Sequence, residues 1–164
     1  MHEQKITLAQ VVPNRLSPSL PSKIVSPPLP ALPFPHLKDL QIVFKISERC
    51  NLKCDYCYFF YAGDESWKQH PITVPLATVE AVARFARDIA QQYQLTKINI
   101  ILHGGEPLLM HKDDFTHLCE IFRSYEFADF HFKLSVQTNA VLINEAWLTL
   151  LEKFKISVGI SLDG

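Results

Sequence analysis

Three of the four cysteines fall within eight residues, in Cys50-Asn51-Leu52-Lys53-Cys54-Asp55-Tyr56-Cys57. Positions this close rarely reach one another with disulfide geometry, and crowded thiols in a reducing compartment point to metal. Three thiolates in one compact loop suit a soft metal or an iron–sulfur centre. A closed structural site usually takes four protein ligands, so a set of three leaves one metal position open to a substrate. A zinc knuckle completed by His70 or His103 is the other reading of this spacing.

A second segment with chemical potential is Gly104-Gly105-Glu106-Pro107, whose paired glycines let the backbone pass close to a ligand and expose its polar groups. Two further polar segments, Gln137-Thr138-Asn139-Ala140 and Ser161-Leu162-Asp163-Gly164, follow apolar runs in the same manner.

The elements that must position these segments are legible as apolar β-branched runs alternating with stretches of helical period. Strands are predicted over residues 41–46, 97–102, 131–136 and 156–160. The first helix, from about Pro75 to Tyr93, presents Leu76, Val79, Val82, Phe85, Ile89 and Tyr93 as one apolar stripe. The second, from about Lys112 to Tyr125, has Asp113 and Asp114 at the positive end of its dipole. The third follows Asn144 as N-cap and turns Trp147, Leu150, Leu151 and Phe154 to the sheet. Strand–helix–strand crossovers in one sheet are right-handed, so all strand C-termini share one rim, and every polar segment above lies on it.

Residues 1–40 hold eight of the eleven prolines and read as an N-terminal extension. Its stretch 26–35 cannot sustain a helix or a central strand, and either disorder or an extended path along the domain fits the composition. The net charge of −1 gives no footprint for a nucleic-acid partner. No apolar run reaches the roughly 18 residues that span a bilayer, and a cytoplasmic protein without a membrane partner is expected.

C-x3-C-x2-C after the first strand and G-G-E-P after the second resemble the radical S-adenosylmethionine (SAM) superfamily over residues 41–164. With Tyr56 before the third cysteine and the Q-T-N-A and S-L-D-G segments, the resemblance extends to the branch of anaerobic sulfatase-maturing enzymes and SPASM-type peptide maturases. Residues 61–67, Pro71 and His103–Leu109 are similar to maturases that crosslink ribosomal precursor peptides into cyclophanes.

The resemblance implies an α/β fold, a partial (β/α) TIM-type barrel with about four of the family's six βα units. It places a 4Fe-4S cluster on Cys50, Cys54 and Cys57, with SAM's methionine moiety on the fourth iron. One electron then cleaves SAM to methionine and a 5′-deoxyadenosyl radical that removes a substrate hydrogen. By the same resemblance Gly104, Gly105, Glu106 and Pro107 orient the SAM amino group, Tyr56 contacts adenine, and Ser135, Gln137 and Asn139 wall the ribose. The implied partners are a peptide or protein substrate and an electron donor such as flavodoxin or ferredoxin. Sulfatase maturation is an alternative within the enzyme class, and a non-catalytic zinc module an alternative outside it.

Four of six units and no SPASM-type region are compatible with a fragment, a natural split completed by a second polypeptide, or a stand-alone degenerate protein; a fragment is expected, able to bind a labile cluster but poor at turnover, with an unpaired apolar edge on its last strand. Cys119, among Leu118, Ile121 and Phe122, reads as a buried hydrophobe. Trp67 reads as a substrate contact or as a cover for the cysteine loop, His103 as a pocket or structural histidine, and Asp163 as a rim residue.

Overall fold

The computed structural model describes residues 6–8, 37–60 and 63–162. The predicted Pro-rich stretch 26–35, residues 61–62 and the rim candidate Asp163 lie outside the described residues.

Five strands form one all-parallel sheet in chain order: β1 (Ile6–Leu8), β2 (Leu40–Ser47), β3 (Lys97–Gly104), β4 (His131–Thr138) and β5 (Ser157–Ile160). Helices α1 (Leu76–Tyr93), α2 (Lys112–Ser124) and α3 (Glu145–Lys153) make the crossovers between β2, β3, β4 and β5. This is the expected α/β architecture.

One face of the sheet holds the core. Leu40, Ile42, Phe44 and Ile46 of β2, Ile98, Ile100 and Leu102 of β3, and Phe132, Leu134 and Val136 of β4 are buried, as the period-two alternation requires. Phe122 of α2 meets Phe44 edge-on at 6.4 Å and Phe132 at 5.1 Å, and Phe115 meets Trp147 at 5.1 Å, so α2 is locked to the sheet and to α3 by aromatic contacts. The opposite face carries Lys45, His103, Ser135 and Gln137, all partly exposed.

The helix starts follow the local chemistry. Asn144 Oδ1 accepts the Trp147 N–H at 3.1 Å, as an N-cap does, and Asp113 and Asp114 occupy the first turn of α2. The stripe of α1 differs from expectation at Phe85, which is exposed. The buried face instead runs through Val79, Val82, Ala83, Ala86, Ile89 and Ala90. Three alanines there let the helix approach closely, which a bulky side chain at their positions would prevent.

Two further differences bear on the site. β3 and β4 each run two residues beyond their apolar stretches, because ladder pairing continues through Gly104 (to Ser47) and through Gln137 and Thr138 (to Gly159 and Ile160). The extension also contributes a strand that composition did not reveal: Ile6–Leu8 pairs in parallel with Leu40–Ile42 at the sheet edge. Val158 and Ile160 are exposed, with no described helix over them.

Candidate active site at the strand C-termini

The all-parallel order brings the loops after β2, β3, β4 and β5 to one rim. The loop after β2 carries Cys50, Cys54 and Cys57, all free and half-buried. Turns hold it: Cys57 N–H donates to the Cys54 carbonyl at 3.0 Å, and Phe60 N–H to the Cys57 carbonyl at 3.3 Å. Tyr56 stands largely exposed at the tip.

The Gly-Gly-Glu-Pro turn lies directly against the chain entering this loop. Gly105 N–H donates to the Ser47 carbonyl at 2.9 Å and Glu106 N–H to the Arg49 carbonyl at 2.7 Å. Gly104 has φ +136°, and a Cβ there would sit 2.3 Å from the Ser47 oxygen; at Gly105 a Cβ would sit 2.1 Å from the Arg49 oxygen. Both glycines are therefore required by the approach of the protein's own backbone, whatever they also do for a ligand.

Glu106 is fully buried and hydrogen-bonded at both oxygens. Its Oε1 accepts from Leu108 N–H and from the Thr138 hydroxyl, each at 2.8 Å, and its Oε2 accepts from Asn139 N–H at 2.9 Å. The carboxylate thus clips the turn after β3 to the end of β4. Pro107 opens the short 3-10 turn Pro107–Leu109 that follows, a place where its missing N–H costs nothing.

Asn139, placed by this clip, reaches back to the cysteine loop. Its Nδ2 donates to Asn51 Oδ1 at 2.8 Å and lies 3.9 Å from Cys50 Sγ, while Leu52 N–H donates to the same sulfur at 3.4 Å. Burial pushes the Cys50 thiol above its ordinary pKa; the Leu52 N–H opposes this, and the charges of Glu106, Cys54 and Cys57 add to it. This setting disfavours a bare thiolate at Cys50, and a cationic metal centre on the sulfur would offset it.

The other candidates divide. Ser135 Oγ donates to the Ile100 carbonyl at 3.4 Å, and Gln137 Nε2 donates to Ser161 Oγ at 2.8 Å while its side chain lies across Gly159. Both sit on the sheet face opposite the helices, as does Lys45, whose Nζ lies 4.7 Å from the ring centre of Phe59 just beyond the cysteines. His103 shares the face of Ser135 and Gln137; its Nδ1 accepts Gly104 N–H at 2.7 Å, and its ring lies 5.7 Å from that of Phe59. Burial pushes its pKa down, with Lys45 assisting and Glu106 opposing. Cys119 is buried in the core.

Trp67 lies in a 3-10 turn over Ser66–Gln69 and meets Phe60 edge-on at 5.0 Å. His70, half-buried beside Glu48, has its Nδ1 3.4 Å from Glu48 Oε1. Among the described residues, no three His, Cys, Asp or Glu side chains stand close enough to hold a single metal ion.

Residues outside the sequence expectations complete the site: Ser47, Arg49, Asn51, Phe60 and Thr138. Two of them, Arg49 and Asn51, flank Cys50 directly, and Thr138 is the second residue of Q-T-N-A; these positions were the available signal.

An all-parallel α/β sheet with a three-cysteine loop and a glycine-rich turn interlocked on its C-terminal rim is the architecture of part of an α/β barrel core. The family description "Radical SAM superfamily" matches residues 44–164, and the chain belongs to that superfamily. It is 30% identical over 118 residues to the cysteine-type anaerobic sulfatase-maturating enzyme of Clostridium perfringens (strain 13), covering 72% of this chain and 31% of that protein. It is 35% identical over 121 residues to the serine-type anaerobic sulfatase-maturating enzyme of Klebsiella aerogenes, covering 73% of this chain and 28% of that protein. The structure of native anSMEcpe with bound AdoMet superposes with a TM-score of 0.64 at 28% identity, over 76% of this chain and 32% of that one. With AdoMet and the Cp18Cys peptide bound, the TM-score is 0.61 at 30% identity, over 77% and 32%. The chain spans about a third of the length of the relatives it matches.

Proposed function

We propose that this chain forms part of a radical SAM enzyme that modifies a peptide or protein, with Cys50, Cys54 and Cys57 holding a 4Fe-4S cluster. The observation that carries this reading is the interlock on the rim: Glu106 ties the Gly-Gly-Glu-Pro turn to Asn139, and Asn139 and Leu52 aim N–H groups at the Cys50 sulfur. The donor set fits the cluster. Three soft thiolates supply its protein ligands, and N–H groups directed at sulfur are among the features that tune such centres.

When bound, the cluster supplies the electron that cleaves SAM to methionine and a hydrogen-abstracting 5′-deoxyadenosyl radical. The chain's own residues bind and orient. The turn of Gly104, Gly105, Glu106 and Pro107 receives the methionine moiety, and the buried Glu106 carboxylate places negative charge near its ammonium group. Tyr56, exposed at the loop tip, closes over the adenine, and Ser135, Gln137 and Asn139 wall the ribose. The partner such a cluster would require is an electron donor such as flavodoxin or ferredoxin, and three clustered thiols suit a reducing cytoplasm.

A second reading within this class is sulfatase maturation, the oxidation of a Cys or Ser on a protein substrate. The cysteine-type and serine-type relatives favour it.

The test is anaerobic reconstitution, reduction with dithionite, and chromatography of the nucleoside products. 5′-Deoxyadenosine and methionine are expected in equal amounts, and neither from Cys54→Ser. Products formed equally by that variant would overturn the proposal. A peptide carrying a sulfatase-type Cys separates the substrate readings, because its oxidation to an aldehyde and an intrapeptide crosslink differ in mass.

A further inference from the structure

Arg49 immediately precedes Cys50, and three segments meet on it. Through its backbone it holds the Gly-Gly-Glu-Pro turn: its carbonyl accepts Glu106 N–H at 2.7 Å and the Ser47 hydroxyl at 3.0 Å. Through its side chain it holds the segment beyond the cysteines. Nη1 donates to the carbonyls of Glu48 at 2.8 Å and Trp67 at 2.7 Å, and Nη2 reaches those of Lys68 at 3.5 Å and His70 at 3.4 Å. The guanidinium also lies 5.1 Å from the centre of the Trp67 ring.

The segment so held is folded back as a strap along the end of β2. Glu48 N–H donates to the Ile72 carbonyl at 2.8 Å, Val74 N–H donates to the Ile46 carbonyl at 3.0 Å, and Ser47 forms an antiparallel bridge with Thr73. Its 3-10 turn has four residues and no buried residue; Asp64 accepts the Ser66 N–H at 2.8 Å and the Ser66 hydroxyl at 3.0 Å, bonds that are local and exposed and do not tie it to the cysteine loop. Its inward contact is Trp67 on Phe60, and Phe60 closes the cysteine loop and packs on Gly105. A planar guanidinium presents five N–H donors in a fixed fork, against the three of a lysine ammonium on a flexible stem.

We propose that Arg49 is a positioning residue that locks the strap of residues 64–74 against the cysteine loop and thereby fixes Cys50 and limits water at the cluster. This rests on the reading that the three cysteines hold that cluster. Loss of the side chain frees three strap carbonyls and the cation that held them. Losing even one charge-assisted bond of this kind raises the open population roughly tenfold or more. Water admitted to the cluster favours its more negatively charged reduced form, so the midpoint potential moves in the positive direction.

The test compares the full chain with Arg49→Lys and Arg49→Ala. In the apo chains, hydrogen exchange read by mass spectrometry should be about tenfold faster or more across residues 66–74 in Arg49→Ala, with exchange in α2 unchanged. In the reconstituted chains, iron release to a chelator should be faster and the cluster potential more positive, with Arg49→Lys intermediate. If the alanine variant fails to fold, the lysine variant carries the comparison. Wild-type exchange, iron release and potential in the variants would overturn the proposal. Failure of the wild-type chain to take up iron and sulfide would instead sink the cluster reading, and the exchange data would still report on the clamp.

Discussion

Replacing Glu106 by Gln keeps shape and volume but changes one carboxylate oxygen into an NH2 donor. The wild-type side chain accepts at both oxygens from inside the protein: Leu108 N–H and the Thr138 hydroxyl on one, Asn139 N–H on the other. The best amide orientation keeps its oxygen on the first pair and turns the NH2 toward the Asn139 N–H, so that two donors face each other. A buried donor left without an acceptor costs about 1–3 kcal/mol, and about 2 kcal/mol is the expected loss here. With a urea m-value of about 2 kcal/mol/M for a domain of this size, the midpoint falls by about 1 M. The assay is urea unfolding of the apo chain followed by circular dichroism, without SAM. A Glu106→Gln midpoint equal to wild type, combined with lost SAM binding, would refute the assignment of this carboxylate as the clip between β3 and β4. Glu106→Ala, which orphans both backbone N–H groups, should cost about 4 kcal/mol, a large fraction of the roughly 5–15 kcal/mol of a typical domain.

Other consequences follow from the same geometry. Gly105→Ala puts a Cβ 2.1 Å from the Arg49 carbonyl oxygen and 2.8 Å from the Phe60 ring, which forces the turn off the cysteine loop. A loss of about 2–4 kcal/mol, from overpacking and strained hydrogen bonds, is expected by urea unfolding; an unchanged midpoint would contradict the close approach. Cys119 is buried and its thiol is pushed up to about 12, so it stays protonated and unreactive at pH 8. A disulfide reagent should therefore titrate three thiols in the folded apo chain and the fourth only after denaturation, and prompt reaction of four would refute its placement. Arg123 donates to the Phe132 and Phe154 carbonyls and to Glu126, each at 2.7 Å, joining α2 to β4 and to the end of α3. Arg123→Ala should lower stability by about 2 kcal/mol; a melting temperature unmoved from wild type would show these bonds contribute little.

Much of this arrangement was readable from residue patterns, and the exceptions have physical causes. Val/Ile/Leu/Phe runs marked β2, β3 and β4, and the Asn144 cap and the Asp113–Asp114 pair marked two helix starts, because those signals are local. Strand lengths were not local. Gln137 and Thr138 look like loop residues, yet ladder hydrogen bonds to Gly159 and Ile160 draw them into β4. Phe85 fits the helical period but yields the core to three alanines, since close packing rewards shape as well as hydrophobicity. β1 is three residues long, and only its pairing with Leu40–Ile42 distinguishes it from loop.

At the rim, Cys50, Cys54, Cys57 and the glycine turn stood out by residue type. The turn's intimacy with Ser47 and Arg49, and the engagement of both Glu106 oxygens within the protein, depend on tertiary approach and leave no mark in spacing. Arg49 is the extreme case, its side chain spanning to residues eighteen to twenty-one positions away.

Iron and acid-labile sulfide counted after anaerobic reconstitution, in wild type and in single Ala variants of the four cysteines, test the central claim most directly. Roughly four irons and four sulfides per chain are predicted for wild type and for Cys119→Ala, with loss of the cluster on substituting Cys50, Cys54 or Cys57. Stoichiometric zinc in place of iron and sulfide, or a cluster indifferent to those three substitutions, would contradict it.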